Sequence, residues 1–386
     1  MTPVPNKLKV ALVYLGRRGG VNKYSYELAR ELDPLVHLRC FLSSRNETRD
    51  EWLSSGVYTE SFDVLKSRKS GEALWSLLSC RWRRLKEQLT LFDPDIIHFP
   101  IDHYWLGLLA LPRNRSRIVL TVHDARRHCG ESNLILQVLS DLSARLADRC
   151  ITLTTAMQGQ LAARGIDRSK IDVIPHGSLG TADPARRELR TAIKRVLFFG
   201  RIRKYKGLEI LLQAFRQVEQ NCPACELWIV GEGDLRPYRG LIAGLNQVRI
   251  RNEWLPDSEI SHIFEQSDIV VLPYIDASQS GVLAIAAPMG IPVIASEVGG
   301  LAEQVRDVDG GILIPPHSPA LLAKATVMLL NDDELRKRLG RNAQIGSKVA
   351  MSWAAIARSH LATYQASMER TAAVGLGSQR HSLDAS

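Results

Sequence analysis

The stretch that decides the fold reads Leu197-Phe-Phe-Gly200-Arg201-Ile-Arg-Lys-Tyr-Lys206-Gly207-Leu-Glu-Ile-Leu-Leu-Gln-Ala-Phe215. An apolar run typical of a buried strand ends at Gly200, and an amphipathic helix begins after Gly207. In open parallel sheets, ligands bind where the C-terminal ends of strands face the N-termini of helices, so Arg201 and Lys206 are placed to bind a phosphate. Taken alone, the same spacing also fits two solvated cations in a basic loop.

The same alternation of strand and helix continues on both sides of this stretch. Apolar runs rich in β-branched residues alternate with longer amphipathic segments, which is typical of βα units in parallel sheets. A segment rich in Gly, Pro and basic residues interrupts the alternation between Gly177 and Arg195 and indicates a linker. We therefore predict an α/β protein with two Rossmann-like, doubly wound parallel sheets. The predicted N-terminal domain spans 1–177 and the predicted C-terminal domain spans 195–350, with a linker at 178–194 between them. A further helix at 351–367 and a flexible tail at 368–386 follow.

Composition narrows the class of protein. The chain has 386 residues, of which 45% are hydrophobic, so it can bury two cores without disulfides. No stretch approaches the roughly 18 consecutive apolar residues of a membrane-spanning helix, and no apolar run near the start fits a signal peptide, so we expect a cytoplasmic protein. We interpret Cys222-Pro-Ala-Cys225 as a turn with two free thiols, because no second pair of metal ligands lies nearby.

Further short motifs occur in a fixed order along the chain. Those upstream of the opening stretch are Gly19-Gly20, Asp95-Ile-Ile-His98, Thr121-Val-His-Asp124 and Val173-Ile-Pro-His-Gly177. Those downstream are Val230-Gly-Glu-Gly-Asp234, Asp268-Ile-Val-Val-Leu-Pro-Tyr274, Ser278-Gln-Ser-Gly281, Gly290-Ile-Pro-Val-Ile-Ala-Ser296, Val298-Gly-Gly-Leu-Ala-Glu303 and Gly310-Gly-Ile-Leu-Ile-Pro-Pro316. Together they resemble the GT4 family of retaining GT-B glycosyltransferases over nearly all of residues 8 to 365. The resemblance implies two domains facing each other across a cleft, and a helix from Ser352-Trp353 that crosses back to the N-terminal domain.

The resemblance also implies roles for individual residues. The C-terminal domain would bind a nucleotide-diphosphate sugar and the N-terminal domain an acceptor. Arg201 and Lys206 match the cations that hold the donor diphosphate, and His123 matches a histidine that reaches the donor sugar. Two such cations would stabilise the leaving nucleotide without a metal ion or another cofactor. The glycines implied in donor binding are Gly19, Gly20, Gly200 and Gly231. Asp124 would either hold its loop or orient His123.

One element departs from the family pattern. The family's usual donor element carries two glutamates in an E-x7-E spacing, and here those positions fall on Ala277 and Ile285. In their place stands Ala277-Ser-Gln279-Ser280-Gly281-Val282, whose Ser280 hydroxyl and successive amides could cap a phosphate while Gln279 bonds a sugar hydroxyl. The same segment also fits a helix cap without a ligand. Glu303 matches an acidic residue of the family pattern. It would either act on the donor side of the site or brace the Gly299-Gly300 turn.

We therefore expect a retaining, metal-independent glycosyltransferase, with cell-envelope or exopolysaccharide synthesis as its setting. A GT-B scaffold that binds nucleotide sugars without turnover is the alternative from another class of protein. A sugar-nucleotide epimerase of similar fold fits less well, because it would carry carboxylates near the diphosphate.

The basic charge of the chain, +9 overall, is concentrated in the N-terminal half. Residues 1 to 180 contain 26 Lys and Arg against 19 Asp and Glu, whereas the remainder contains 24 against 22. Cations at 66–69 and 81–86 lie near Trp75 and Trp82, a pattern that indicates a peripheral membrane surface, a carbohydrate or lipid-linked anionic acceptor, or a solvated helix face. Nucleic acid is a weaker candidate, because no nucleic-acid-binding motif is present.

Overall fold

The computed structural model describes residues 7–63, 81–102, 116–126, 134–180 and 193–383, with side chains to residue 369. Its first half contains a seven-stranded parallel sheet in the order β3-β2-β1-β4-β5-β6-β7. Strand β1 is buried almost throughout, which explains its nearly continuous apolar sequence Val10 to Val13. The strands are β1 Lys9–Tyr14, β2 His37–Ser43, β3 Thr59–Phe62, β4 Ile96–Phe99, β5 Arg117–Val122, β6 Arg149–Thr152 and β7 Ile171–Val173.

The second half contains a six-stranded parallel sheet in the order β10-β9-β8-β11-β12-β13. In this sheet the strand order reverses between β8 and β11, the kind of switch point where ligands of doubly wound sheets bind. The strands are β8 Lys194–Phe199, β9 Cys225–Val230, β10 Val248–Arg251, β11 Ile269–Leu272, β12 Val293–Ser296 and β13 Gly311–Ile314. The predicted architecture of two doubly wound sheets is confirmed.

The helices follow the strands, as the alternating sequence predicts. Those of the first half are α1 Gly20–Leu32, α2 Arg49–Ser54, α3 Arg81–Phe92, α4 Leu134–Leu146 and α5 Thr155–Ala163. Those of the second half are α6 Leu208–Asn221, α7 Arg239–Ile242, α8 Asp257–Glu265, α9 Gly281–Ala286, α10 Gly299–Val308, α11 Pro319–Asn331, α12 Asp333–Ala350 and α13 Trp353–Leu383. None of the helices within the described ranges is long and apolar enough to cross a membrane.

Helix α13 crosses from the second half of the chain to the first. Its residues Ile356, Ala357 and Tyr364 are buried in the core of the first domain. The helix continues to Leu383, well past the predicted end at 367, so the predicted tail is helical over most of its length.

The chain passes between the domains beside the start of α13. Trp353 donates a hydrogen bond from Nε1 to the Ser178 carbonyl at 2.7 Å, and the Leu179 amide donates to the Ala284 carbonyl of α9 at 2.8 Å. A Cβ on Gly177 would collide with the Trp353 ring, so this crossing requires glycine. Most of the predicted linker, residues 181–192, lies outside the described residues.

Candidate active site

The loop that follows β8 carries Arg201 and Lys206, as the sequence predicts. Gly200 leaves the strand with φ of 102°, and a short helical turn from Lys204 to Lys206 leads to Gly207, whose φ is 68°. A Cβ on Gly207 would collide with the Pro273 carbonyl oxygen at the end of β11. The whole turn is therefore pressed against the neighbouring strand at the switch point of the sheet.

Lys206 is a buried cation without an acidic partner among the residues that the structure describes. Burial lowers the pKa of its ammonium, and the nearby positive charge of Arg201 lowers it further. Arg201 is half-buried and likewise forms no ion pair within the described ranges. Two neighbouring cations that repel each other and lack a carboxylate create an electrostatic demand for an anion.

The predicted glycines act by close backbone approach. A Cβ on Gly231, where φ is 138°, would collide with the Gly200 carbonyl. A Cβ on Gly200 would lie 2.7 Å from the Lys206 Nζ and 3.8 Å from a methyl carbon of Val282. Gly231 thus permits the close approach of the two backbones, Gly200 keeps the space beside the ammonium open, and Val282 in the first turn of α9 lies beside the same glycine.

The Ala277 to Gly281 loop, which replaces the family's glutamates, is only partly available to a ligand. The Ser280 amide already donates to the Gln304 side chain at 2.8 Å, so it is not a free phosphate donor as the sequence had suggested. The following helix α9 has only six residues. By contrast, Gln279 Oε1 is buried and has no hydrogen-bond partner within the described part of the chain, as expected of an acceptor awaiting a ligand.

Glu303 is placed differently from the donor-side role that the resemblance implies. Its carboxylate accepts hydrogen bonds from the Thr155 amide at 2.8 and 3.0 Å and from the Ala156 amide at 3.3 Å. Both amides lie in the first turn of α5 in the other domain, where a carboxylate also interacts favourably with the helix dipole. Glu303 thus caps a helix across the domain boundary, because the free amides there offer it better partners than the Gly299-Gly300 turn.

The N-terminal domain approaches the same cleft with the glycine turn before α1. Gly19 has φ of 100° and a Cβ on Gly20 would meet no atom within 4 Å, so the turn is open at this point. The adjacent Arg18 stacks 4.3 Å from the ring centroid of Trp254 in the second domain and lies 3.5 Å from the Glu232 carboxylate. The glycine turn therefore lies where the two domains meet.

His123 follows β5 and is buried. Its Nε2 lies 2.8 Å from the Pro100 carbonyl oxygen, and its ring meets the Tyr24 ring edge-on with centroids 5.0 Å apart. Its neighbour Asp124 is exposed, and the charge of Asp124 adds to the rise that burial causes in the pKa of Tyr205 in the other domain. The His123-Asp124 loop therefore lies within electrostatic range of Tyr205, in the turn that carries Lys206.

A buried polar network behind His123 has no counterpart in the sequence prediction. The Tyr24 hydroxyl lies 3.3 Å from Nε2 of His360 in α13, and the Tyr364 hydroxyl lies 2.8 Å from Nδ1 of His98 in β4. These side chains join positions more than 250 residues apart in the chain, so local pattern could not have paired them. His360, which lies on the apolar face of α13, is the signal that the sequence offered for this network.

The basic stretch predicted at 81–86 begins helix α3, and its described arginines lie on the exposed side of that helix. Leu85, Leu89 and Phe92 of α3 are buried, while Arg83 and Arg84 are exposed. The cations at 66–69 and Trp75 lie outside the described residues. No three His, Cys, Asp or Glu side chains of the described ranges are grouped to hold a metal ion, and Cys222 and Cys225 are free thiols.

Comparison with known proteins agrees with this geometry. The family model "Glycosyltransferase Family 4" matches residues 18–178, and the model "Glycosyl transferases group 1" matches residues 193–332. The two models cover the two domains of one family of glycosyltransferases, and the chain belongs to that family.

Curated relatives and solved structures agree with the family. The chain is 28% identical to a D-inositol 3-phosphate glycosyltransferase of Pseudarthrobacter chlorophenolicus, with 92% of each chain covered. It is 30% identical to the protein of that name from Nocardia farcinica, over 71% of this chain and 67% of the relative. The crystal structure of Anabaena HepE in complex with UDP and glucose has the same fold, with a TM-score of 0.75, 20% identity, and 93% of this chain and 99% of that chain covered.

Proposed function

We propose that this glycosyltransferase is retaining and metal-independent, and that it transfers a sugar from a nucleotide diphosphate held by Arg201 and Lys206. The observation that carries the proposal is the buried Lys206 ammonium, beside Arg201, without an acidic partner among the described residues. A diphosphate would supply the missing negative charge. Because the same group gains charge as the glycosidic bond breaks, both cations would stabilise the transition state more than the ground state.

The remaining residues of the cleft would hold the sugar. Gln279 Oε1 would accept a hydrogen bond from a donor-sugar hydroxyl, which would satisfy an acceptor that is otherwise buried alone. His123, fixed by the Pro100 carbonyl and by Tyr24, would reach the sugar from the N-terminal domain. We assign no protein nucleophile, because the two glutamate positions of the family are Ala277 and Ile285. Retention would then depend on the leaving diphosphate and the acceptor sharing one face of the sugar.

The acceptor is a phosphorylated or lipid-linked carbohydrate in this proposal, bound by the N-terminal domain. The excess of cations in residues 1 to 180 supports an anionic acceptor. The curated relatives are named for D-inositol 3-phosphate, which also carries a phosphate. A cell-envelope or exopolysaccharide product fits such an acceptor.

A membrane-bound acceptor is a second candidate, and helix α4 favours it. Leu134, Ile135 and Val138 are all more than half exposed on this helix, which follows the His123-Asp124 loop along the chain. Flotation with vesicles containing phosphatidylglycerol tests this candidate. Binding to these vesicles supports it, and no binding at low salt refutes it.

Nucleotide release from a panel of UDP-, GDP- and ADP-sugars, with inositol phosphates and sugar phosphates as acceptors, tests the proposed activity. Release that depends on an acceptor, persists in EDTA and gives a product with the donor's anomeric configuration by NMR is the expected result. Binding of a nucleotide sugar without turnover for every acceptor would favour the inactive scaffold instead. Inversion at the anomeric carbon, or complete loss of activity in EDTA, would overturn the proposed mechanism.

A further inference from the structure

The turn that carries Lys206 rests on the residues that follow β11. The Ile275 amide donates to the Tyr205 carbonyl at 2.7 Å, and Gly207 packs directly on the Pro273 carbonyl. Between these two contacts lies Tyr274, which is buried. The centroid of its ring is 5.2 Å from the Lys206 Nζ, within the range of a cation–π interaction.

Tyr274 is itself held in place by the loop that replaces the family's glutamates. Its hydroxyl lies 3.4 Å from the Ser280 Oγ, and the Ser280 amide is fixed by Gln304. The ring of Tyr205 meets the Tyr274 ring edge-on at a centroid distance of 6.2 Å. Tyr274 therefore joins the lysine to the Ser278 to Gly281 loop through contacts that need no carboxylate.

The charged and titratable groups around Lys206 explain why such support is needed. Arg201 disfavours the charged ammonium, Tyr205 favours it, and burial is the largest effect against it. No ion pair to Lys206 occurs in the described part of the chain. The face of an aromatic ring is electronegative, so the Tyr274 ring offsets part of this desolvation while leaving the Nζ hydrogens free for a ligand.

We propose that Tyr274 is a positioning residue that keeps the Lys206 ammonium charged and aimed at the donor diphosphate. The inference rests on the proposed function, since Lys206 must be the residue that binds the anion. The ring centroid lies 5.2 Å from the ammonium, and Gly200, which lacks a side chain, leaves room beside the same Nζ for the ligand. The ring and the hydroxyl have separate roles: the ring sets the charge of the lysine, and the hydroxyl sets the position of the ring against Ser280.

Calorimetric titration with UDP from pH 6.5 to 9.5 tests the proposal on Tyr274→Leu, Tyr274→Phe and the unaltered protein. Tyr274→Leu removes the cation–π contact, so a smaller fraction of Lys206 is charged and UDP affinity falls toward the alkaline end of this range, by up to about 30-fold. The pH at which binding is lost with rising pH also falls, by about 0.4 to 1.5 units, because the charged lysine has lost its support. Tyr274→Phe keeps the ring but loses the contact with Ser280, so it shifts the pH dependence of binding less than Tyr274→Leu does.

Phe215→Leu is the matched control, since Phe215 is a fully buried aromatic residue of the same domain that belongs to a different apolar cluster. It lowers the melting temperature without moving the pH dependence of UDP binding, which separates positioning from general loss of packing. The inference is overturned if Tyr274→Leu shifts UDP binding no more than Phe215→Leu while Lys206→Ala abolishes it. If Lys206→Ala itself binds UDP normally, the proposed function fails first, and the role of Tyr274 fails with it.

Discussion

Gly200→Ala should affect donor binding by the Arg201 and Lys206 loop more than it affects the stability of the fold. Gly200 has φ of 102°, so any side chain there strains the backbone, at a cost of roughly 1–2 kcal/mol. The new Cβ would lie 2.7 Å from the Lys206 Nζ, well inside the usual separation of about 3.5–4.0 Å between such atoms. Lys206 has a flexible side chain, so the ammonium moves away and the fold survives.

The expected loss of function is larger than the expected loss of stability. A displaced ammonium forfeits a charge-assisted hydrogen bond to the diphosphate, worth about 1.5–3 kcal/mol, which corresponds to about 10- to 150-fold weaker donor binding. Thermal unfolding measures the first effect, and nucleotide release at varied donor concentration measures the second. The backbone strain alone corresponds to a melting temperature lower by about 2–8 °C.

Gly56→Ala is the matched control for backbone strain. Gly56 has φ of 84°, and a Cβ there would meet no atom within 4 Å. The control loses a similar stability and keeps full donor binding. If Gly200→Ala destabilises the protein like Gly56→Ala and still binds and turns over donor normally, Lys206 does not act where the structure places it.

Three further outcomes follow from the structure. Gly207→Ala forces a Cβ into the Pro273 carbonyl at a φ of 68°, so it should destabilise the second domain by about 3 kcal/mol or more, whereas Gly240→Ala, with open space, should not. Burial lowers the pKa of His176 and His360 to about 4. The unfolded chain takes up protons at these histidines below about pH 6.5, whereas the folded chain does so only near pH 4. The free energy of unfolding therefore falls between pH 6.5 and pH 4, by roughly 3 kcal/mol per histidine. Urea unfolding at pH 7.5 and pH 5 measures this loss of stability. His360→Gln should reduce the loss, and replacement of the exposed His262 by Gln should leave it unchanged. An equal loss between the two pH values in the unaltered protein and in both variants would contradict the reasoning. Glu303→Ala removes the cap of α5 and should lower the free energy of unfolding by about 1 kcal/mol, whereas Glu303→Gln should lose part of that amount. An unchanged melting temperature in Glu303→Ala would refute the contact between domains.

Sequence pattern was sufficient for the features that depend on neighbours along the chain. The strand before Gly200 and the helix after Gly207 are each encoded locally, and their order places Arg201 and Lys206 at the switch point of the sheet. The order of motifs then fixed the family. Both steps rely on periodicity and spacing, which a single sequence contains.

The contacts that complete the site join residues distant in sequence, and these could not be predicted. Glu303 reaches Thr155 across the domain boundary, and its carboxylate serves a helix end that no local pattern connects with it. The Ser280 amide looked free because Gln304, its acceptor, lies on a separate helix. Tyr274 ends one of the quoted motifs, but the role proposed for it depends on the distance of its ring from Lys206, which the motif does not contain.

The central claim is that Arg201 and Lys206 hold the leaving diphosphate, and the turnover of Lys206→Ala with a saturating acceptor tests it most directly. Removing one fixed cation from a developing negative charge should lower kcat by about a hundredfold or more. The variant should remain folded, because no acidic group of the described residues loses a partner. A folded Lys206→Ala protein with kcat and kcat/KM for the donor equal to those of the unaltered enzyme would contradict the claim.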